Sequence, residues 1–229
     1  MSSFLTLLKW DMVLLNRNRL FVLAAVVAGI YIALFYLLKP LGNLTNVLII
    51  LIFNDPVVTG YLFAGVLLLF DKNQHTLQAI SVLPLPFATY LLSKAVLLSV
   101  LATVLSFIMT FATRGIDFNA GHLLAASFLS AFMFSLLGFV VGALTRNFNQ
   151  LLLYSIPFFV LTGLPVLALF GYGELWQYAL VPSTGGIGIM QAAFEEKSGW
   201  HTLFMYIHLL VWTVISWIIA LKVTSGKLL

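Results

Sequence analysis

The chain has 229 residues, of which 62% are hydrophobic and 8% are charged. A soluble domain carries about 25% charged residues, so this composition excludes an ordinary soluble globular protein. The lack of cysteine excludes a disulfide framework and a thiolate metal site. The formal net charge is +4, which gives no reason to expect a nucleic-acid partner.

The first 19 residues predict a helix that lies in the plane of the membrane surface. On a helix, Leu5, Leu8, Met12 and Leu15 form one apolar stripe, and polar residues lie elsewhere. Residues 1–19 lack the apolar core and small-residue cleavage site of a signal peptide, so we expect no cleavable leader. A frayed cytoplasmic tail is the alternative interpretation.

Six apolar stretches follow, each close to the length of about 20 residues that an α-helix needs to cross a bilayer core. Lipid cannot satisfy backbone polar groups, so these stretches must be helical. The sequence predicts an all-α membrane protein with one transmembrane domain over residues 1–229, consisting of an N-terminal interfacial helix and six transmembrane helices. The predicted spans are 20–38, 41–70, 95–113, 123–145, 150–173 and 202–221.

Asp55 is the only formal charge in the second apolar run, where a charge is costly. Because Asp is favoured at the N-cap and Pro in the first turn, Asp55 is expected to cap a helix begun by Pro56. That interpretation leaves 41–54 as a re-entrant or interfacial piece. The functional alternative is that Asn54, Asp55 and Pro56 face a translocation pathway or a cation.

Residues 71–86, between the second and third spans, predict a short amphipathic helix. Leu77, Ile80 and Leu83 recur at a spacing of three residues, which places them on one face. Such a face suits docking into a groove of a cytoplasmic protein, or packing against lipid headgroups, and periodicity does not separate the two. Lys94, where the third span enters the membrane, is expected to extend to the headgroups.

Glycine and proline mark two further spans. Gly138 and Gly142 form a G-x-x-x-G pattern in the fourth span, which permits close helix packing within the chain. Pro157 and Pro165 are expected to kink or break the fifth span.

One pattern resembles membrane CAAX-type proteases, which use paired glutamates with an arginine and histidines. Glu195 and Glu196 precede His208, but Trp200 stands where the arginine is expected, and a second His–Asn motif is missing. We therefore expect no catalytic residue and no metal site, and we interpret His208 as a hydrogen-bonded packing residue.

The distribution of basic residues predicts the orientation. With six spans both termini share one side, and eight of the eleven basic residues then lie on that side. Basic residues are retained on the cytoplasmic side, so we predict cytoplasmic termini in a multi-pass protein of the cell inner membrane. The eight residues are Lys9, Arg17, Arg19, Lys72, Lys94, Arg146, Lys222 and Lys227.

Residues 70–94, FDKNQHTLQAISVLPLPFATYLLSK, resemble the signature loop of ABC-2 type permeases, the membrane subunits of ATP-binding-cassette exporters. The likeness is greatest to fluoroquinolone-type drug export permeases, which also carry an Asp-Pro pair, in this chain Asp55–Pro56. His75 stands where glycine is usual in the loop, and Asp71 where glutamate is usual. The matching positions are Asp71, Thr76, Leu77, Pro84, Tyr90, Leu91, Leu92, Ser93 and Lys94.

The resemblance implies that 71–86 is a coupling helix seated in a separate nucleotide-binding subunit, which would hold ATP and Mg²⁺. The chain itself has no G-x-x-x-x-G-K-[ST] loop. The expected function is that of a permease subunit that moves an amphipathic or hydrophobic drug-like compound outward. The subunit is expected not to be an enzyme itself and to bind no cofactor. It is expected to pair with a second permease chain, in a homodimer or a heterodimer. A stand-alone secondary transporter or channel is the alternative. The expected coupling residues are Asp71, Thr76, Leu77, Ile80, Leu83, Pro84 and Lys94.

Overall fold

The computed structural model describes residues 3–42, 44–74, 86–195 and 199–228, and within these ranges it contains helices and turns but no strand. Six of its helices are long and apolar enough to cross a membrane, and a further helix precedes them. The prediction of an all-α membrane protein is therefore confirmed. Because Ser3–Arg17 is helical, the alternative of a frayed N-terminal tail is wrong for these residues.

We number the helices in chain order and keep these labels throughout. The N-terminal helix is α1, the six spans are α2 to α6 and α8, and a short buried helix is α7. Their bounds are α1 Ser3–Arg17, α2 Leu20–Leu38, α3 Thr45–Asn73, α4 Phe87–Arg114, α5 Ala120–Leu144, α6 Phe148–Phe170, α7 Ser183–Phe194 and α8 Gly199–Leu228.

The bundle has two ends, which we name by their position. The basal end holds α1, the end of α3 and the beginning of α4. The distal end holds the turn between α4 and α5 and the C-terminal end of α7, where the Asn119 N–H donates to the backbone oxygen of Ala193. Residues 75–85, which include most of the predicted coupling helix, lie outside the described residues. Residues 71–73 belong to α3, so α3 extends past the predicted end of the second span.

The helix α3 is the centre of the bundle. Buried positions make up 72% of its most apolar window, against 22% in each of α2 and α6. Its 29 residues correspond to about 43 Å at 1.5 Å per residue, which exceeds a bilayer core. A re-entrant or interfacial piece at 41–54 is therefore not needed, and Thr45–Asp55 forms the first part of this helix.

Asp55 does not cap a helix, which corrects the capping interpretation. Its backbone is helical, with φ −64° and ψ −52°, and its side chain makes no cap hydrogen bond. Pro56 removes one backbone donor, and the chain responds by widening into a π-helix over Pro56–Leu62 instead of starting a new helix. The α-helix resumes at Phe63.

Close backbone contact joins α3 to α5. A Cβ at Gly138 would overlap the carbonyl oxygen of Tyr61, and a Cβ at Gly142 would lie 2.9 Å from the carbonyl oxygen of Gly65. A Cβ at Gly60 would lie 2.7 Å from the carbonyl oxygen of Ala131. Only glycine allows this approach, so the G-x-x-x-G pattern packs within the chain.

The segment between α6 and α8 enters the distal half of the bundle. Pro157 lies inside the α-helix Phe148–Gly163 without ending it, and the helix changes to 3-10 geometry over Leu164–Phe170, which contains Pro165. The helix α7 has 12 residues, about 18 Å, so it is too short to cross a membrane. It is nevertheless buried over Ser183–Met190.

Candidate coupling site at the basal end

The two charged residues predicted to frame the coupling segment are in direct contact. Lys94 Nζ in α4 lies 3.1 Å from Asp71 Oδ2 near the end of α3. The same ammonium lies 2.7 Å from Oδ1 of Asp11 in α1. One lysine therefore joins three helices, and two of these helices begin and end the connection that contains residues 75–85.

Two hydroxyl groups complete the hydrogen bonding of the carboxylates. Tyr90 donates to Asp71 Oδ2 at 2.5 Å, and Ser93 donates to Asp11 Oδ2 at 2.5 Å. The Lys94 ammonium also lies 5.0 Å from the centre of the Tyr90 ring, within cation–π range. We call these five residues, Asp11, Asp71, Tyr90, Ser93 and Lys94, the basal cluster.

Four of the five residues of the basal cluster are buried, and the side chain of Asp11 is 12% exposed, so the charges need partners within the cluster. The Lys94 side chain is 2% exposed and Asp71 is 3% exposed. Lys94 does not extend to the membrane surface as the sequence suggested, because two carboxylates hold it inside. Breaking a buried ion pair by removing one partner costs about 3–5 kcal/mol, since the remaining charge is left uncompensated.

The local sequence explains how α4 presents its part of the basal cluster. Pro86, with φ −60° and ψ 132°, precedes the helix, which begins at Phe87. Tyr90 and Lys94 are four residues apart, so they lie on one helical face directed at Asp71. Ser93 is displaced around the helix toward α1, where it reaches Asp11.

The residue next to Asp71 makes a second connection. Lys72 Nζ donates to the backbone oxygens of Gly142, Ala143 and Thr145, at 3.2, 3.1 and 2.6 Å. A cation at the C-terminus of α5 satisfies carbonyl groups that have no helical partner and interacts favourably with the helix dipole. Consecutive residues of α3 thus connect its basal end to α4 and α5, and Lys94 of α4 extends the connection to α1.

Five of the seven predicted coupling residues cannot be placed. Thr76, Leu77, Ile80, Leu83 and Pro84 lie within residues 75–85, outside the described part of the chain. Their contact with a partner stays a prediction. The structure does show that the two ends of this connection are held by buried contacts.

The second predicted site, at Asn54 and Asp55, is divided between two surfaces. Asp55 is fully buried; its Oδ1 accepts from Thr59 at 3.2 Å, whereas Oδ2 has no hydrogen-bond partner in the described structure. Asn54 is exposed, donates to the hydroxyl of Tyr31 in α2, and lines a cavity of about 180 Å³ between α3 and α6. Pro56 is buried at the start of the π-helix.

Comparison with known proteins identifies the family. The model of the fluoroquinolones export permease protein family matches residues 2–226, which is almost the whole chain. The chain belongs to this family. The resemblance to fluoroquinolone-type export permeases is thereby confirmed.

Two curated relatives carry the same description. They are the fluoroquinolones export permease proteins of two strains of Mycobacterium tuberculosis, each 26% identical to this chain over 148 residues. The matched region covers 63% of this chain and 61% of each relative, so the chain spans about three fifths of the length of the relatives it matches.

Two residues of the basal end, Asp11 and Lys72, are not identified as site residues from the sequence. Asp11 is the one acidic residue in a helix that otherwise carries basic and apolar residues. This isolated negative charge is the sequence feature that could have indicated a buried ion pair. Lys72 lies one residue after Asp71, but the sequence indicates only that it is one of the basic residues that predict the orientation in the membrane. Asp11 contacts Lys94, and Lys72 contacts the end of α5, and both partners are far away in the sequence. The spacing of residues along the chain therefore does not predict these contacts.

Two residues of the protease-like pattern, Glu195 and His208, make hydrogen bonds within the described structure, and Glu196 lies outside the described residues. His208 Nε2 lies 2.7 Å from the backbone oxygen of Ala179, which is consistent with a hydrogen-bonded packing residue. Gln191 donates to Glu195 Oε2 at 3.1 Å, on a different helix from His208. Glu195 and His208, which the sequence pattern placed in one protease-like site, therefore form these hydrogen bonds with different residues.

Proposed function

We propose that this chain is the membrane-spanning permease subunit of an ATP-driven exporter. It moves an amphipathic or hydrophobic, drug-like compound outward, and a separate subunit binds and hydrolyses ATP with Mg²⁺. Membership of an export permease family supports transport. The observation that carries the coupling proposal is the basal cluster, which fixes both ends of the connection on which the ATPase would act.

The proposed mechanism is mechanical. The ATPase docks on the predicted coupling segment, residues 71–86, through Thr76, Leu77, Ile80 and Leu83, and Pro84 fixes the exit toward α4. A displacement there reaches α3 and α4 through Asp71 and Lys94. Close-packed interiors transmit strain because they deform little, and the glycine contacts make α3 and α5 move together.

We propose that two permease chains form the pathway, with the surface of α3 between α2 and α6 turned toward the other copy. Asn54 lies on this surface at membrane depth, where an amide facing lipid is costly. The same surface has an apolar cavity of about 410 Å³ that Val58, Leu62 and Val66 of α3 help to line. A pairing of two chains would shield the amide and enclose the apolar cavity. A heterodimer with a different permease would use the same surface.

The basal end is proposed to be cytoplasmic, in the inner membrane of the cell. The bias of basic residues toward this end supports that orientation. It also puts Asp71 and Lys94, which flank the predicted coupling segment, on the same side of the membrane as a cytoplasmic ATPase.

A second candidate function, a stand-alone secondary transporter, is favoured by one observation. Asp55 is a buried carboxylate at membrane depth with an oxygen that has no partner in the described structure. Secondary transporters use ionisable residues of this kind, often beside irregular helices. The π-helix Pro56–Leu62 supplies the irregular helix.

The test is co-expression of the chain with the candidate ATPase, followed by co-purification and by fluoroquinolone accumulation in inside-out vesicles. We expect Leu77→Asp with Ile80→Asp to abolish co-purification and ATP-dependent accumulation. Leu180→Asp, at an 88% exposed residue of the distal segment, is the matched control and should leave both intact. Accumulation driven by a proton gradient without ATP would instead support the secondary transporter.

A further inference from the structure

The outward surface of α1 differs in charge from its inward surface. The only acidic residue of this helix, Asp11, is turned inward to Lys94 and is 12% exposed at its side chain. Lys9 and Arg17 are exposed. The described part of α1 therefore presents only positive formal charges to its surroundings.

Large apolar side chains share that outward surface with the basic residues. Trp10 is 66% exposed, and Leu5, Met12 and Val13 are about half exposed. Leu15, by contrast, is fully buried against the bundle. The exposed apolar side chains are thus not the packing face of α1, and they need another environment.

The turn after α1 has a defined geometry. Arg19 has φ 56° and ψ 22°, a left-handed conformation that is costly for a residue with a side chain. Asn18 Nδ2 donates to the backbone oxygen of Leu14 at 3.0 Å, and the Arg19 N–H donates to that of Asn16 at 3.0 Å. The helix α1 is therefore set off from α2 by a defined turn.

The rest of the basal end has the same charge. Its other exposed basic residues are Arg19, Arg146 and Lys222, and its two acidic residues, Asp11 and Asp71, are both within the basal cluster. Among the described residues, every exposed formal charge at this end is therefore positive. Such a surface is complementary to an anionic one.

We propose that the outward surface of α1, formed by Leu5, Lys9, Trp10, Met12, Val13 and Arg17, binds anionic phospholipid headgroups. Interleaved basic and apolar side chains suit the boundary between headgroups and acyl chains, where a helix lies in the membrane plane. Tryptophan is enriched at that depth, and basic residues are attracted by anionic lipid.

The binding is independent of the proposed export function, since it concerns only this chain and lipid. Each basic residue near an anionic membrane surface contributes about 1 kcal/mol, which corresponds to about fivefold in affinity. We therefore expect the double variant Lys9→Gln with Arg17→Gln to bind phosphatidylglycerol about 25-fold more weakly than the native chain. The variant Lys9→Arg with Arg17→Lys keeps both charges and should bind as the native chain does.

The experiment titrates the purified full chain in neutral detergent with phosphatidylglycerol or phosphatidylcholine and counts bound lipids by native mass spectrometry. Binding of phosphatidylglycerol should exceed that of phosphatidylcholine and should weaken with added salt. The matched control, Arg146→Gln with Lys222→Gln, removes two basal charges outside α1 and should have a smaller effect. Far-ultraviolet circular dichroism checks that each variant keeps its helices.

Four results would overturn the assignment. Equal binding of phosphatidylglycerol and phosphatidylcholine would show that the negative charge of the headgroup does not contribute to binding. Unchanged phosphatidylglycerol binding by the double variant would remove the role of α1, as would an equal loss in the control pair. Loss of ATPase co-purification by the double variant, with lipid binding intact, would make this surface a protein contact instead.

Discussion

Two buried carboxylates in the same helix have opposite surroundings. Asp71, at the basal end of α3, accepts from Tyr90 and pairs with Lys94, which also pairs with Asp11. Asp55, in the distal half of α3, has only the hydroxyl of Thr59, and its Oδ2 has no partner in the described structure. Both are almost fully removed from solvent.

We infer from this difference that the two carboxylates have different roles. Burying a carboxylate is costly unless hydrogen bonds and opposite charge compensate it. Asp71 has that compensation and contributes to the fixed arrangement of α1, α3 and α4. Asp55 lacks it, so its presence is not explained by stability. This contrast supports the proposal that the neighbourhood of Asp55 serves transport.

The largest expected effect comes from removing the centre of the basal cluster. Lys94→Met leaves the buried carboxylate of Asp71 and the partly buried carboxylate of Asp11 without a counter-ion. We expect a loss of about 3–5 kcal/mol in the free energy of unfolding, measured by denaturation in mixed micelles. Lys222→Met removes an exposed lysine from the same end and should change the free energy by less than about 0.5 kcal/mol. Equal effects of the two variants would show that the cluster is not the stabilising feature.

The next effect concerns the contact between α3 and α5 that lies between the two carboxylates. In Gly138→Ala the added Cβ overlaps the backbone of Tyr61, which cannot move away as a flexible side chain could. Overpacking of this kind costs about 1–3 kcal/mol. Gly29→Ala is the control, because a Cβ at Gly29 meets nothing within 4 Å, and alanine should stabilise or leave unchanged the helix α2. A tolerated Gly138→Ala would mean that the helices separate easily.

The sequence predicted the architecture better than the site. Long apolar runs identify membrane helices because the bilayer imposes one solution, and the G-x-x-x-G pattern reports close packing directly. The prediction that Asp55 caps a helix begun by Pro56 was wrong. It used residue preferences at helix starts, which describe helices of soluble proteins. In α3 the packing of both halves keeps the helix continuous, and a π-helix accommodates the proline.

The basal cluster shows the other limit of sequence reasoning. Asp11 and Lys94 are 83 residues apart, and their contact depends on how α1 folds back against α4. No periodicity within either helix contains that information. The resemblance to the permease loop did mark Asp71, Tyr90, Ser93 and Lys94, but it gave no contact between them.

A smaller effect tests whether the two carboxylates of the basal cluster act as one unit. Asp71→Asn leaves Lys94 paired with Asp11, and Asp11→Asn leaves it paired with Asp71. A lost charged hydrogen bond costs about 2 kcal/mol, and we expect about that from Asp71→Asn. In the double variant Lys94 has no counter-ion, so its cost should exceed the sum of the single costs by about 1 kcal/mol or more. Strict additivity in the same micelle assay would mean that the three side chains do not form one network.

The smallest effect on stability is expected at Asp55, and it should be accompanied by the clearest effect on transport. Asp55→Asn keeps the size of the side chain and an oxygen that can accept from Thr59, so the free energy of unfolding should change by less than about 1 kcal/mol. If the neighbourhood of Asp55 serves the pathway, fluoroquinolone accumulation in vesicles should fall several-fold while co-purification with the ATPase persists. Asp117→Asn, at an exposed carboxylate of the distal end, should change neither quantity. A loss of stability as large as that of Asp71→Asn, with transport per folded molecule unchanged, would make Asp55 a second structural carboxylate and remove the contrast between the two halves of α3.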